Sequence, residues 1–255
     1  MAWRPWVVLA YHAVGDVSPE HDPDRLVQPP DMFERQVRSL VKRSYEFVTA
    51  AEFARRLRAG WPLDGTCAVT FDDGTVDNLE LVPRILGPLQ IPATVFACPG
   101  LLGETDPYIA PESGIRIMTA DELRELAGLG FEIGAHTTRH TDLADASPEA
   151  AYAEMRSCKE ALEDVVGAAV ETFAYPYGRY SAACPAAAER TGYLGAYTCG
   201  DRGGQLPFEL HREMMDNRDG PLSWALKSRS RYHETLALPP VRLALAARRA
   251  VRARS

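Results

Sequence analysis

Two carboxylates in succession, Asp72 and Asp73, close the apolar run Ala68-Val69-Thr70-Phe71 and are followed at once by Gly74. A buried strand rarely runs into paired acids without a partner for them. Neighbouring side chains diverge along a strand, so at its frayed end the two acids can serve different groups while glycine turns the backbone. Asp-Gly turn chemistry beside a helix start accounts for the same residues equally well. A second strand-like run, Phe131 to Ala135, ends in His136-Thr137-Thr138-Arg139-His140. On one turn of helix or in a tight loop, two histidines four apart point their imidazoles the same way, a spacing that suits a divalent ion. A third run, Thr172 to Tyr175, stops at Pro176-Tyr177-Gly178. That segment is either a plain turn or a way of presenting the Tyr177 N–H to a reacting oxygen. One carboxylate with two histidines makes a three-ligand site with room for water, and a second carboxylate beside it can take that water's proton.

The elements that must position these groups alternate. Strand-length apolar runs occur at Trp6-Ala10, Cys67-Phe71, Ala93-Ala97, Phe131-Ala135, Glu171-Tyr175 and Leu194-Thr198, with weaker ones near Phe47 and Leu210. Helix starts fall between them. Thr49-x-x-Glu52 and Thr119-x-x-Glu122 have capping-box spacing, Asp31 can cap a helix carrying Phe33, Val37 and Leu40, and Ser147 precedes Pro148. Tyr152, Met155 and Leu162 share one face of the last of these helices, and read as packing against a sheet. Repeated βα units imply an α/β fold with a parallel sheet, closed or open, and all three polar clusters then lie at the carboxyl ends of strands, where such folds assemble ligand sites.

Composition narrows the class. The chain has 255 residues with 46% hydrophobic and 25% charged, and no repeat or low-complexity stretch, so it has enough sequence for a sizeable core. A formal charge of -7 argues against nucleic acid as a partner. The five cysteines are scattered, with no CxxC pair, and read as reduced and mostly buried. Only Trp6 to Ala10 is apolar near the N-terminus, too little for a signal peptide or membrane span, from which a cytoplasmic location is expected. The segment from Val241 to Arg254 carries five Arg and no acid, a composition for a solvated terminal helix or for peripheral contact with anionic lipid at the inner membrane face.

At these residues the sequence resembles the polysaccharide deacetylase family, the NodB-homology or family-4 carbohydrate esterases, over about residues 5 to 215. Thr70-Phe71-Asp72-Asp73-Gly74 is similar to its first motif, His136-Thr137-Thr138-Arg139-His140 to its H-[ST]-x-x-H motif, and Tyr175-Pro176-Tyr177-Gly178 to its third. The resemblance implies a distorted (β/α)7 barrel in a single domain, here residues 1–235, followed by a basic tail over 236–255. It also implies a divalent metal, zinc first and cobalt or others accepted, and hydrolysis of N-acetyl groups on amino sugars. By that carry-over Asp73, His136 and His140 hold the ion, Asp72 is the general base, and Tyr177 gives its N–H to the oxyanion. Tyr11-His12 is similar to the opening of one branch of the family and places His12 at the end of the first barrel strand.

The sequence departs from that pattern twice. Ala174 stands where the family often has an Arg that holds the catalytic Asp, and the late L-x-H that supplies a general acid is absent in strict form. Glu209-Leu210-His211-Arg212 is the nearest candidate: Arg212 is expected to replace the missing Arg, and His211 or His12 to protonate the leaving amine. Trp224 echoes a late family tryptophan but reads as a packed core residue. Hydrolysis of a non-sugar amide or imide, and a binding relative that has lost turnover, are the rival readings.

Overall fold

The computed structural model describes residues 4–200 and 204–230. The expected boundary at residue 235 and the basic tail beyond it lie outside the described residues.

The chain opens with strand β1 (Val7–Tyr11), the short pair β2 (Ala13–Val14) and β3 (Val27–Gln28), helix α1 (Pro30–Lys42), β4 (Glu46–Val48) and α2 (Ala50–Arg58). Then come β5 (Thr66–Phe71), the short helices α3 (Asp77–Glu80) and α4 (Val82–Leu86), β6 (Ala93–Ala97), α5 (Ala120–Gly128) and β7 (Glu132–Ala135). The last part is α6 (Pro148–Val166), β8 (Thr172–Ala174), α7 (Cys184–Thr191), β9 (Gly195–Cys199), β10 (Leu210–Met214) and α8 (Pro221–Lys227). Every apolar run singled out above is a strand, displaced by at most a residue or so.

All pairings in the main sheet are parallel. The order runs β1-β10-β9-β8-β7-β6-β5, and β1 also pairs with β5 along Val7↔Cys67 to Tyr11↔Phe71, so seven strands close into a barrel. Strand β4 pairs with the first residues of β5, Glu46↔Thr66 to Val48↔Ala68, while β6 takes the later ones from Val69 onward. β4 leads the chain into α2, whose Phe53 and Ala54 join Val8, Ala68, Phe96, Ala174, Tyr197 and Leu210 in one buried cluster. Polar contacts fix the start of α2: Ala50 N–H donates to Thr94 Oγ1 (2.8 Å), Ala51 N–H to Glu132 Oε2 (2.8 Å), and the Tyr197 hydroxyl to the Ala50 carbonyl (2.6 Å). The outer faces of the strands and the helices enclose the larger core.

The helix starts follow from capping chemistry. Thr49 accepts from Glu52 N–H, Thr119 and Glu122 form a complete capping box, and Ser147 accepts from Ala150 N–H with Pro148 at the first helical position. Asp31 does not cap: α1 begins one residue earlier at Pro30, and Asp31 lies in its first turn, favourably placed toward the helix dipole. The buried face of α6 carries Ala151, Met155, Cys158 and Leu162. Trp224 packs against the outer core and donates to Ser39 Oγ at 3.1 Å. Four of the five cysteines are buried and all are free. Among the described residues no helix is long and apolar enough to cross a membrane.

Candidate metal centre

At the carboxyl end of β5 the two acids separate. The Asp72 N–H stays in the ladder, donating to the Tyr11 carbonyl at 2.9 Å, and Asp73 then turns with φ of 68°. This left-handed residue sends the carboxylates to different partners. Asp72 receives a two-pronged grip from Arg212 on β10, Nη1 to Oδ1 at 2.6 Å and Nη2 to Oδ2 at 2.8 Å. Asp73 faces the histidines, with Oδ1 3.8 Å from His136 Nε2 and 3.6 Å from His140 Nε2. One ligand atom from each of Asp73, His136 and His140 falls within 4.8 Å of the others, and all three residues are buried.

The two histidines sit in a tight loop and not on a helix. His136 N–H donates to the Ala97 carbonyl (3.0 Å), Gly100 N–H to the Thr138 carbonyl (2.7 Å), and Thr141 N–H to Thr137 Oγ1 (2.7 Å). Thr137 and His140 have φ of 60° and 56°. Past β8, the turn at Pro176–Gly178 holds Tyr177 at φ 57°. A side chain on Gly178, itself at φ 64°, would meet the Cys199 backbone at 2.7 Å, so this turn is pressed against β9 and only glycine fits. Among the described residues eight non-glycines have positive φ, and four of them (Asp73, Thr137, His140 and Tyr177) surround this site. Such strain persists only where the surroundings hold it, and it gathers at functional sites.

The donor set fits a divalent cation. His136 donates its Nδ1–H to the Ala174 carbonyl (2.8 Å), which leaves the Nε2 lone pair facing Asp73. Burial first, and for His140 also its neighbour His136, pushes the imidazoles down to about 4 and about 3, so both are the neutral ligands a metal requires. Burial, then Asp106 and Asp72, drives the Asp73 carboxyl upward, and its buried Oδ1 has no hydrogen-bond partner. A cation among these atoms would relieve both. Burial would also raise Asp72, but Arg212, followed by His136, overrides it and holds that carboxyl well below the usual range.

His12, at the end of β1, places Nε2 4.0 Å from Asp73 Oδ2. His211 is elsewhere. Arg212 points into the barrel, its guanidinium 5.1 Å from the Phe96 ring centroid, so strand alternation sends His211 and Glu213 to the outside, where they lie 3.5 Å apart. The structure therefore does not bring His211 to the cluster.

A family model described as "Polysaccharide deacetylase" matches residues 62–196, more than half of the chain. The chain belongs to the polysaccharide deacetylase family. YxkH of Bacillus subtilis (strain 168), named as a candidate polysaccharide deacetylase, is 26% identical over 187 residues, which are 73% of this chain and 61% of that protein. The chain thus spans about three fifths of that relative's length. The structure of the Streptococcus pyogenes deacetylase PplD in complex with acetate superposes with a TM-score of 0.73 at 26% identity, covering 89% of this chain and 98% of that one. IcaB from Ammonifex degensii shares the fold, with a TM-score of 0.74 at 22% identity over 90% and 97% of the two chains.

In this member of the family two residues of the β6–α5 connection reach the site although no motif marked them. Asp106 is 4% exposed; its Oδ1 accepts from Tyr108 and Ile109 N–H (2.7 and 2.9 Å), while Oδ2 is buried without a partner. Burial, with Arg212, lowers the His12 pKa from its ordinary value, and Asp72 and Asp106 oppose that shift without cancelling it. Tyr108 Oη lies 2.6 Å from His140 Nδ1 and also hydrogen-bonds the Tyr177 hydroxyl. The available signal was length: residues 98–119 form a connection with little regular structure, and loops that long inside a compact domain usually serve a site.

Proposed function

We propose that this chain hydrolyses the N-acetyl group of an amino sugar within a glycan, a glycan precursor or a glycoside. The convergence of Asp73, His136 and His140 around one position, with Asp72 beside it, carries the reading.

Asp73 and the Nε2 atoms of His136 and His140 would hold a divalent ion, zinc being well suited to one oxygen and two nitrogen donors. Such an ion, when bound, lowers the pKa of a water toward about 7. That chemistry matches Asp72, because a carboxylate gripped by Arg212 is a weak base that needs an already acidic water. Arg212 keeps Asp72 ionised and fixes its rotamer, so the residue accepts the proton as water attacks the acetyl carbonyl. Tyr177 N–H would donate to the developing oxyanion, an interaction of about 3 to 4 kcal/mol. His12, carrying a proton on Nε2, would deliver it to the departing amine. The bidentate grip of Arg212 on Asp72 supplies the partner that Ala174 cannot, which favours turnover over a binding role.

Acetate release from N-acetylated mono- and oligosaccharides is the direct test. Activity should be abolished by a chelator and restored by zinc or cobalt; chelator-resistant release, or release only from non-sugar amides, would contradict the proposal. His12→Ala should lower turnover by roughly 10²- to 10⁴-fold, the usual span for a lost general acid, whereas His211→Ala should retain wild-type kcat. A steady-state comparison of the two variants decides between them.

A further inference from the structure

The two histidines of the cluster are held by different means. His136 gives its Nδ1–H to a main-chain carbonyl, that of Ala174. His140 has its Nδ1 2.6 Å from the side-chain oxygen of Tyr108, which arrives on a separate connection 32 residues away. An imidazole that ligates through Nε2 keeps its proton on Nδ1 and needs an acceptor there. With that proton donated to Tyr108 Oη, the phenol's own O–H is directed to the Tyr177 hydroxyl.

The arrangement is built rather than incidental. Asp106 Oδ1 binds the Tyr108 and Ile109 N–H groups, and Ile109, 2% exposed, packs with Ala13, Val27 and Ile115. Ala110 N–H donates to the His21 carbonyl at 2.9 Å, tying the connection to the segment after β1. The three rings meet edge to face, with His140 and Tyr177 centroids 4.5 Å apart and Tyr108 and His140 centroids 5.1 Å apart. Tyr177, held at φ 57°, is thereby anchored at the far end of its side chain as well as through its backbone.

We infer that Tyr108 is a positioning residue that fixes the tautomer and orientation of the metal-ligating His140 and ties that ligand to the Tyr177 turn. The inference deepens the metal-centre reading and rests on it. Replacing Tyr108 by Phe keeps the ring contacts and removes the hydroxyl that accepts from His140 Nδ1 and bonds the Tyr177 hydroxyl; Tyr177→Phe removes the second of these bonds alone.

Cobalt(II) titrations of the metal-stripped full-length chain, with a competing chelator for affinity and visible absorption for ligand geometry, provide a readout independent of turnover. Tyr108→Phe should weaken cobalt binding by about 10- to 100-fold and change the visible bands, with the melting temperature of the metal-free protein unchanged. Tyr177→Phe should stay within about threefold of wild type, because the Tyr108 oxygen still accepts from His140. Three results would overturn the inference: a Tyr108→Phe affinity within about twofold of wild type, an equal loss in Tyr177→Phe, or a loss matched by a drop in metal-free melting temperature. A wild-type chain that binds no cobalt would overturn the metal-centre reading as well, so the two failures are distinguishable.

Discussion

Asp72→Asn is expected to bind its divalent ion as tightly as the wild type and to lose turnover by roughly two to four orders of magnitude, the span that follows removal of a general base. The substitution keeps the shape and one acceptor for Arg212 but cannot take a proton. Asp73→Ala and His140→Ala should fail differently, losing metal and activity together, because each removes one of three converging ligand atoms. Metal content measured alongside kcat on the same preparations separates the two classes. A wild-type rate in Asp72→Asn would end its assignment as base, and full metal occupancy in Asp73→Ala would end the ligand assignment.

The second large effect is on stability as well as rate. Arg212 has no exposed surface and Asp72 is 2% exposed, and their two hydrogen bonds are supplemented by one from Arg212 Nη1 to Thr70 Oγ1 at 3.1 Å. Removing one member leaves the other charge buried and uncompensated, which costs about 3 to 5 kcal/mol. At roughly 2 to 4 °C per kcal/mol for a domain of this size, Arg212→Met should melt about 6 to 20 °C below the wild type. Combining it with Asp72→Asn should recover part of that loss, since the stranded charge is gone. Equal destabilisation by the single and double variants would show that the two side chains are not energetically coupled. Turnover in Arg212→Met should fall by about 10²-fold through misplacement of Asp72.

The sign of the pH dependence follows from the depressed Asp72 carboxyl. Its stabilisation is fully present above the ordinary carboxylate pKa of about 3.9 and fades as pH falls through the lower folded value. In Arg212→Met burial loses its main opponent, with only the weaker pull of His136 and His12 remaining, and drives the same carboxyl upward, so the variant should lose activity at a higher pH on the acid side than the wild type. Unchanged acid limbs in the pH–rate profiles would contradict the pairing.

Residues close in sequence needed no tertiary information to be read. The strand runs, the caps at Thr49, Thr119 and Ser147, and the acids and histidines at strand ends are legible because hydrophobic period, capping geometry and turn chemistry act over a few residues. The pairing of Asp72 with Arg212, 140 positions apart, was anticipated only because a family motif left a gap at Ala174 to be filled.

Other features were decided by closure of the sheet. β1 pairs with both β5 and β10, which brings His12 to Asp73 and sets Arg212 against Asp72. In Leu210–Met214 polar residues fall on both faces, so the sequence period does not say which of His211 and Arg212 points inward; the barrel register decides it, and His211 is turned out. Asp106 and Tyr108 belong to a connection whose path is fixed by packing of Ile109 and Ile115 against Ala13 and Val27. Local sequence determined which groups stand at the ends of strands, because those signals are short-ranged; only the closed barrel determined which of them meet, because meeting depends on register and on contacts between segments that lie from 32 to 140 positions apart in the chain.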